Sequence, residues 1–65
     1  MIFKEAYEAL KQGAMIKLPE WAGYWKWEDN SIKMHLDGDI VLDIRQATDL
    51  DCIFKNIIRD DWEKV

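Results

Sequence analysis

The sequence predicts an α+β fold, in which an N-terminal helix packs on a small antiparallel β-sheet of four or five strands and a short helix lies near the C-terminus. Three observations predict it. Apolar residues first recur at helical spacing, then alternate with polar residues between turn-forming pairs, and finally form a second helical stripe. A chain of 65 residues is expected to form one domain, residues 1–65.

The first helix is marked by apolar residues at the i, i+3, i+4, i+7 spacing of one helical face: Phe3, Ala6, Tyr7 and Leu10. Gly13 follows where helices commonly end in a left-handed residue, so we expect the helix to end at about Gln12. Residues 14–18 are then predicted to form a short strand. Pro19 has no amide hydrogen, so it ends that strand or confines it to an edge of the sheet.

The middle of the chain predicts a three-stranded meander. Residues 24–28 hold three aromatic side chains with Lys26 and Glu28 interleaved, and Asp29-Asn30 is predicted to form a turn. Alternation of apolar and polar residues then resumes through residue 36. Asp37-Gly38 is the strongest turn signal, because aspartate tolerates positive φ at its first position and glycine takes the second freely. The third strand is predicted over residues 40–45.

A short helix follows, with Thr48 and Asp49 as candidate caps. Its apolar stripe comprises Ile53, Phe54, Ile57 and Ile58. The adjacent acids Asp60 and Asp61 are unfavourable at the negative end of a helix dipole, so the chain should leave the helix there and continue as an extended segment over residues 62–65. These acids are interpreted as making either a structural or a ligand contact.

Composition limits the classes of function. A domain of this size buries only about 60% of its unfolded surface, so we expect self-association to supplement its core. One cysteine, Cys52, and one histidine, His35, give neither an intramolecular disulfide nor a zinc site, and no metal or cofactor is predicted. The net charge of −4 argues against binding DNA, RNA or an anionic membrane.

No motif of an enzyme is present, so the protein is not expected to be one. The chain has one serine and one threonine, Ser31 and Thr48, and His35 falls on the polar face of its strand without a partner pattern. The Asp37-Gly38-Asp39 sequence fits a hairpin turn better than a calcium loop. Charged residues interrupt the first apolar stretch, so no signal peptide or membrane span is predicted and we expect a cytoplasmic protein.

The most unusual stretch is LPEWAGYWKW, residues 18–27, which holds three of the four tryptophans. Trp25 and Trp27 share one strand face and Tyr24 takes the other, whereas Trp21 lies in the bend before the strand. The residue types leave two interpretations open: burial in a core or subunit interface, or a flat platform on which a purine-sized ligand stacks. Arg45 has the planar guanidinium suited to bidentate phosphate contact.

Order and spacing of these elements resemble those of a family of small phage proteins, the Thoeris anti-defence type two family. Its members begin with a helix of the form F-x-x-A-x-x-x-L-x-x-G, continue with a short strand and a tryptophan, and close with an aspartate-tryptophan pair. The matching residues here are Phe3, Ala6, Leu10, Gly13, Ile16, Trp21, Asp61 and Trp62. The resemblance spans essentially the whole chain, although Glu20 stands where many members carry a basic residue.

The resemblance implies a cytosolic homo-oligomer, a dimer or tetramer. It further implies that this oligomer sequesters a cyclic nucleotide immune signal, such as a cyclic ADP-ribose isomer or a cyclic dinucleotide of CBASS systems, without cleaving it. We expect the ligand to be bound by Trp21 as a stacking platform, Tyr24 and Trp25 as walls, and Lys17 or Arg45 as phosphate donors. The oligomer interface is expected to involve Trp27, Asp61 and Trp62. The alternative is a small oligomeric interaction module that inhibits or tethers a host protein.

Overall fold

The structure is a computed structural model that describes all 65 residues, and it confirms the α+β fold. The elements are α1 (Phe3–Lys11), β1 (Ile16–Lys17), β2 (Tyr24–Glu28), β3 (Ser31–Leu36), β4 (Ile40–Asp43), a 3₁₀ turn (Ile44–Gln46), α2 (Leu50–Ile57) and β5 (Glu63–Lys64). The five strands pair antiparallel in the order β4-β3-β2-β1-β5, so β4 and β5 form the two edges of the sheet. Neither helix is long and apolar enough to cross a bilayer.

Helix α1 ends where the sequence predicts, and the reason is local. Gly13 has φ +104°, and its amide donates to Leu10 O at 3.0 Å while the amide of Ala14 donates to Ala9 O at 3.0 Å. These two bonds form a Schellman motif, which satisfies carbonyl groups that the last helical turn leaves free.

The two hairpin turns differ from each other. Asp29 and Asn30 both have positive φ, 53° and 60°, and form the two-residue turn between β2 and β3. The turn predicted at Asp37-Gly38 is instead a three-residue loop, because Leu36 pairs with Ile40 and the positive φ values fall on Gly38 and Asp39. The prediction that Asp37 takes positive φ is therefore wrong by one position.

Two predicted strands are shorter than expected. The strand predicted over residues 40–45 ends at Asp43, because the Asp43 carboxylate accepts from the amide of Arg45 at 2.8 Å and starts the 3₁₀ turn. Gln46 completes the capping box by accepting the Asp43 amide at 3.1 Å. The strand predicted over residues 14–18 is limited to the two residues of β1.

One hydrophobic core lies between α1 and the sheet, with the Trp62 indole at its centre. Trp62 is 1% exposed, and its ring centroid lies 5.3 Å from Phe3, 5.1 Å from Trp25 and 5.3 Å from Trp21. Its indole N–H donates to Asn56 O at 3.1 Å, so the polar atom of the ring is satisfied. The remaining core residues are Ala6, Leu10, Ile16, Leu18, Ile32 and Met34.

Candidate functional site

A groove of about 560 Å³ lies between the sheet and α2. Its sides are the bend that precedes β2, parts of β3 and β4, and the segment from the 3₁₀ turn into α2. The groove exists because α2 stands away from the sheet: no residue of α2 is buried, although Ile53 packs against the edge of the core. This volume is within the usual range of small-molecule sites.

Two tryptophans form the aromatic side of the groove. The Trp21 centroid lies 5.5 Å from that of Trp25 and 5.3 Å from that of Trp62, so the bend is anchored on the core. Trp21 remains half-buried, whereas Trp25 is 3% exposed and lines the groove as part of the core. Of the tryptophans, Trp21 therefore offers the groove the more accessible ring.

Tyr24 and His35 form a stacked pair at the end of the groove. Their ring centroids are 4.6 Å apart with an interplanar angle of 12°, because Tyr24 and His35 are direct partners in the β2–β3 register. The His35 Nε2 atom is buried without a hydrogen-bond partner, and the nearest carboxylate oxygen is Glu28 Oε1 at 3.7 Å. The register places this pair on the opposite face of the sheet from Trp25.

Close backbone approach at Gly23 holds the bend against β3. A Cβ atom at Gly23 would lie 2.0 Å from the carbonyl oxygen of His35, so only glycine fits this position. We predict that Gly23→Ala destabilises the fold by about 2 kcal/mol, because the backbone of the bend has to move away from β3. Urea unfolding followed by circular dichroism measures this loss.

The control for this variant is Gly13→Ala, where the added Cβ meets no atom within 4 Å. At Gly13 the only unfavourable effect of alanine is the positive φ, which should lower the free energy of unfolding by about 1 kcal/mol. A loss at Gly23 no larger than the loss at Gly13 would contradict the close approach.

An ion-pair cluster joins the bend to the end of α2. The Arg59 guanidinium contacts the carboxylates of both Glu20 and Asp61. Hydrogen bonds from Arg59 hold the pKa values of both carboxyl groups below their usual range. Glu20, the acid that departs from the resembled family, therefore makes a structural contact that fixes the residue next to Trp21.

A second cluster is centred on Asp43, which is 6% exposed. Its carboxylate accepts from Ser31 Oγ at 2.8 Å, from Lys33 Nζ at 3.1 Å and from Arg45 Nε and Nη2 at 3.0 and 2.7 Å. These donors, Arg45 first, hold the pKa of Asp43 well below its usual range. The cluster ties β3, β4 and the 3₁₀ turn together.

The predicted phosphate donors do not line the groove. Lys17 lies on β1 and pairs with Glu63 at 3.8 Å, and Arg45 is engaged with Asp43 although its side chain is 68% exposed. The groove lining contains Asp37 and Asp49 but no lysine or arginine. The structure therefore brings together Trp21 and Trp25, places the Tyr24 ring on the opposite face of the sheet from Trp25, and leaves the two cations outside the groove.

The residues predicted at an oligomer interface lie in different environments. Trp27 is half-buried, with its ring 6.0 Å from Tyr7 and the Lys11 ammonium 5.6 Å from its centroid. Asp61 is half-buried and bound to Arg59. Trp62 has almost no exposed surface to offer a partner, because it fills the centre of the core.

Sequence reasoning missed the far side of the groove, which is formed by Gln46, Ala47, Thr48, Asp49, Cys52, Ile53 and Asn56. It also missed Arg59, whose partner Glu20 lies 39 residues away. The only signal for the groove in this segment is the amphipathic pattern of α2, which predicts a helix but not its distance from the sheet. Comparison of the chain with protein families, curated proteins and solved structures finds no match.

Proposed function

We propose that the protein binds a cyclic nucleotide immune signal in the groove between the sheet and α2 and holds it without cleaving it. The observation that carries this proposal is the groove of about 560 Å³ with the half-buried Trp21 ring on its side. A flat ring beside an apolar cavity suits a planar base, and stacking on an aromatic side chain contributes about 1–3 kcal/mol for each base. The proposed site of action is the cytosol of an infected bacterium.

The charges of the lining favour one orientation of the ligand. Asp37 and Asp49 repel phosphate, whereas carboxylates and the amides of Gln46 and Asn56 can bind the polar edge of a base. The base therefore enters the groove and the phosphate groups remain at its open mouth. Binding in this orientation depends on stacking more than on ion pairing, so moderate salt should weaken it little.

Retention without turnover is the chemistry that the described side chains support. The Ser31 hydroxyl donates to Asp43, and the Cys52 thiol contacts only the Asn56 amide at 3.9 Å. A nucleophile needs an effective base within hydrogen-bond reach. Asp43 is a poor base, because Lys33 and Arg45 also bind its carboxylate and hold its pKa well below the usual range, and the Cys52 thiol has no base beside it. The proposal is therefore a binding protein that acts by equilibrium sequestration.

Thermal unfolding in the presence of cyclic ADP-ribose isomers and cyclic dinucleotides tests the proposal. A ligand at one hundred times its dissociation constant adds about 2.7 kcal/mol to apparent stability, which raises the Tm of so small a domain by roughly 10 °C or more. Mass spectrometry of the ligand released by heat should return it intact. Unchanged melting curves across the panel would exclude sequestration of these ligands.

A matched pair of tryptophan variants locates the site. Trp21 and Trp27 are both half-buried and both pack against the core, but only Trp21 lines the groove. We predict that Trp21→Ala weakens binding of a stabilising nucleotide by about tenfold or more, and that Trp27→Ala leaves the dissociation constant nearly unchanged. Isothermal titration of both variants, below their melting temperatures, measures the difference. Equal losses would place the ligand elsewhere.

A second candidate function, an interaction module for a host protein, is favoured by the outer side of α2. Leu50, Phe54 and Ile58 are 57%, 60% and 80% exposed and follow one another at i, i+4 and i+8. An exposed apolar stripe on a helix is typical of helix-mediated recognition. Stoichiometric capture of one host protein from a nucleotide-depleted lysate would favour this function over sequestration.

A further inference from the structure

Strand β4 is an unprotected edge of the sheet. Ile40, Val41 and Leu42 are 53%, 48% and 40% exposed, and one side of the strand has no partner in the sheet. Soluble proteins usually protect such an edge with lysine, proline or a bulge, and β4 has neither lysine nor proline. The other edge, β5, consists of the charged residues Glu63 and Lys64 and is therefore protected.

We propose that a second copy of this chain pairs antiparallel with β4 about a two-fold axis, so that two five-stranded sheets become continuous. The main-chain groups of β4 supply the hydrogen bonds, and its apolar side chains gain neighbours from the partner strand on each face of the sheet. This inference rests on the free edge of β4 and requires no bound ligand, although Leu42 and Asp37 also line the groove.

Charge complementarity identifies the partner as a second copy in antiparallel orientation. The loop before β4 carries Asp37 and Asp39, and the turn after it carries Arg45. In an antiparallel pair of identical strands centred on Val41, the partner's Arg45 lies opposite Asp37. Asp39 lies opposite the partner's Asp43, whose carboxylate is already bound by Ser31, Lys33 and Arg45 of its own chain. Arg45 binds Asp43 through Nε and Nη2, which leaves Nη1 free for the contact with Asp37.

The alternation of side chains along β4 is also compatible with a two-fold symmetric strand pair. Ile40 and Leu42 share the helix-facing side of the sheet, since their partners in β3 are Leu36 and Met34. A two-fold axis perpendicular to the sheet keeps this side common to both copies. With Val41 on the axis, Ile40 faces the partner's Leu42, so apolar side chains oppose each other across the joint.

Sedimentation equilibrium of the full chain over a range of micromolar concentrations tests the proposal. The wild-type protein should form a dimer or a larger even assembly. Val41→Lys, which adds the charge that natural edge strands use, should raise the dimer dissociation constant about tenfold or more. Val65→Lys is the matched control, because Val65 is 63% exposed and lies beyond β5, and it should not change the constant.

A second variant tests the charge pairing without altering the strand. Asp37→Lys should also weaken the dimer, because the added ammonium repels the partner's Arg45, and its circular dichroism spectrum should match that of the wild type. A wild-type protein that stays monomeric overturns the proposal. Dimerisation that is equally strong in Val41→Lys and Asp37→Lys also overturns it, and so does equal weakening by Val65→Lys.

Discussion

Trp62→Ala is expected to remove a large part of the protein's stability. Trp62 is 1% exposed and touches Phe3, Trp21 and Trp25, so its removal opens a cavity at the centre of the core. Replacing a buried tryptophan with alanine costs about 3–5 kcal/mol. A domain of this length has a total stability of roughly 3–10 kcal/mol, so this loss is comparable to the whole.

Circular dichroism and urea unfolding measure this effect, with Trp27→Ala as the control. Trp27 is half-buried at the edge of the core, so its loss should be clearly smaller. Trp62→Phe should recover part of the stability, since it restores an aromatic ring but not the donor to Asn56 O. A cooperative transition for Trp62→Ala at the wild-type midpoint would contradict the placement of Trp62.

Asp43→Asn is expected to cause the second large loss. Asparagine keeps the shape of the side chain but loses the charge and part of the acceptor capacity that serve Ser31, Lys33 and Arg45. The end of β4 and the 3₁₀ turn should loosen together. Asp51→Asn is the control: the Asp51 side chain is 76% exposed and pairs with Lys55, an arrangement that contributes about 0.5 kcal/mol or less.

The pH dependence distinguishes the charge of Asp43 from its shape. Its pKa in the folded protein lies well below the value in an unfolded chain, about 3.9, so the unfolded state binds more protons below pH 4. The contribution of Asp43 is therefore fully present above about pH 4 and is lost as the pH falls below it. Glu20 and Asp61 act in the same direction.

Urea midpoints measured from neutral pH to about pH 2 should fall for the wild type. They should fall less steeply for Asp43→Asn, which has already lost one of the three carboxylates whose pKa is lowered by folding. Parallel curves for the two proteins would show that Asp43 contributes through shape alone.

Secondary-structure elements that depend on residues close together in the chain could be predicted from the sequence. The face of α1 and its end at Gly13 depend on residues within one or two helical turns, and the alternation of residues 24–36 fixes the first hairpin. The end of β4 could not be predicted, because apolar alternation continues to Ile44. What ends the strand is a carboxylate that also binds Ser31, which lies 12 residues earlier in the chain.

The candidate site was predictable on one side only. The concentration of aromatic residues in the bend indicates Trp21 directly, but whether such a ring lies in a core or a groove depends on residues far along the chain. Arg59 and Trp62 decide where the Trp21 ring lies. Arg59 fixes the bend through its ion pair with Glu20, and Trp62 packs against the Trp21 ring from the core. No periodic pattern or motif in the sequence indicates that Arg59 or Trp62 contacts the bend.

The pairing of β1 with β5 sets an order of events in folding. Strands β2, β3 and β4 follow one another through short turns, so their loop-closure entropy is small. Ile16 pairs with Lys64, and the meander and α2 all lie between them in the chain. The meander can therefore form early, whereas the docking of Trp62 is expected after the rate-limiting step. Changes at Trp62 should then act mainly by accelerating unfolding, and changes at Asp43 mainly by slowing folding.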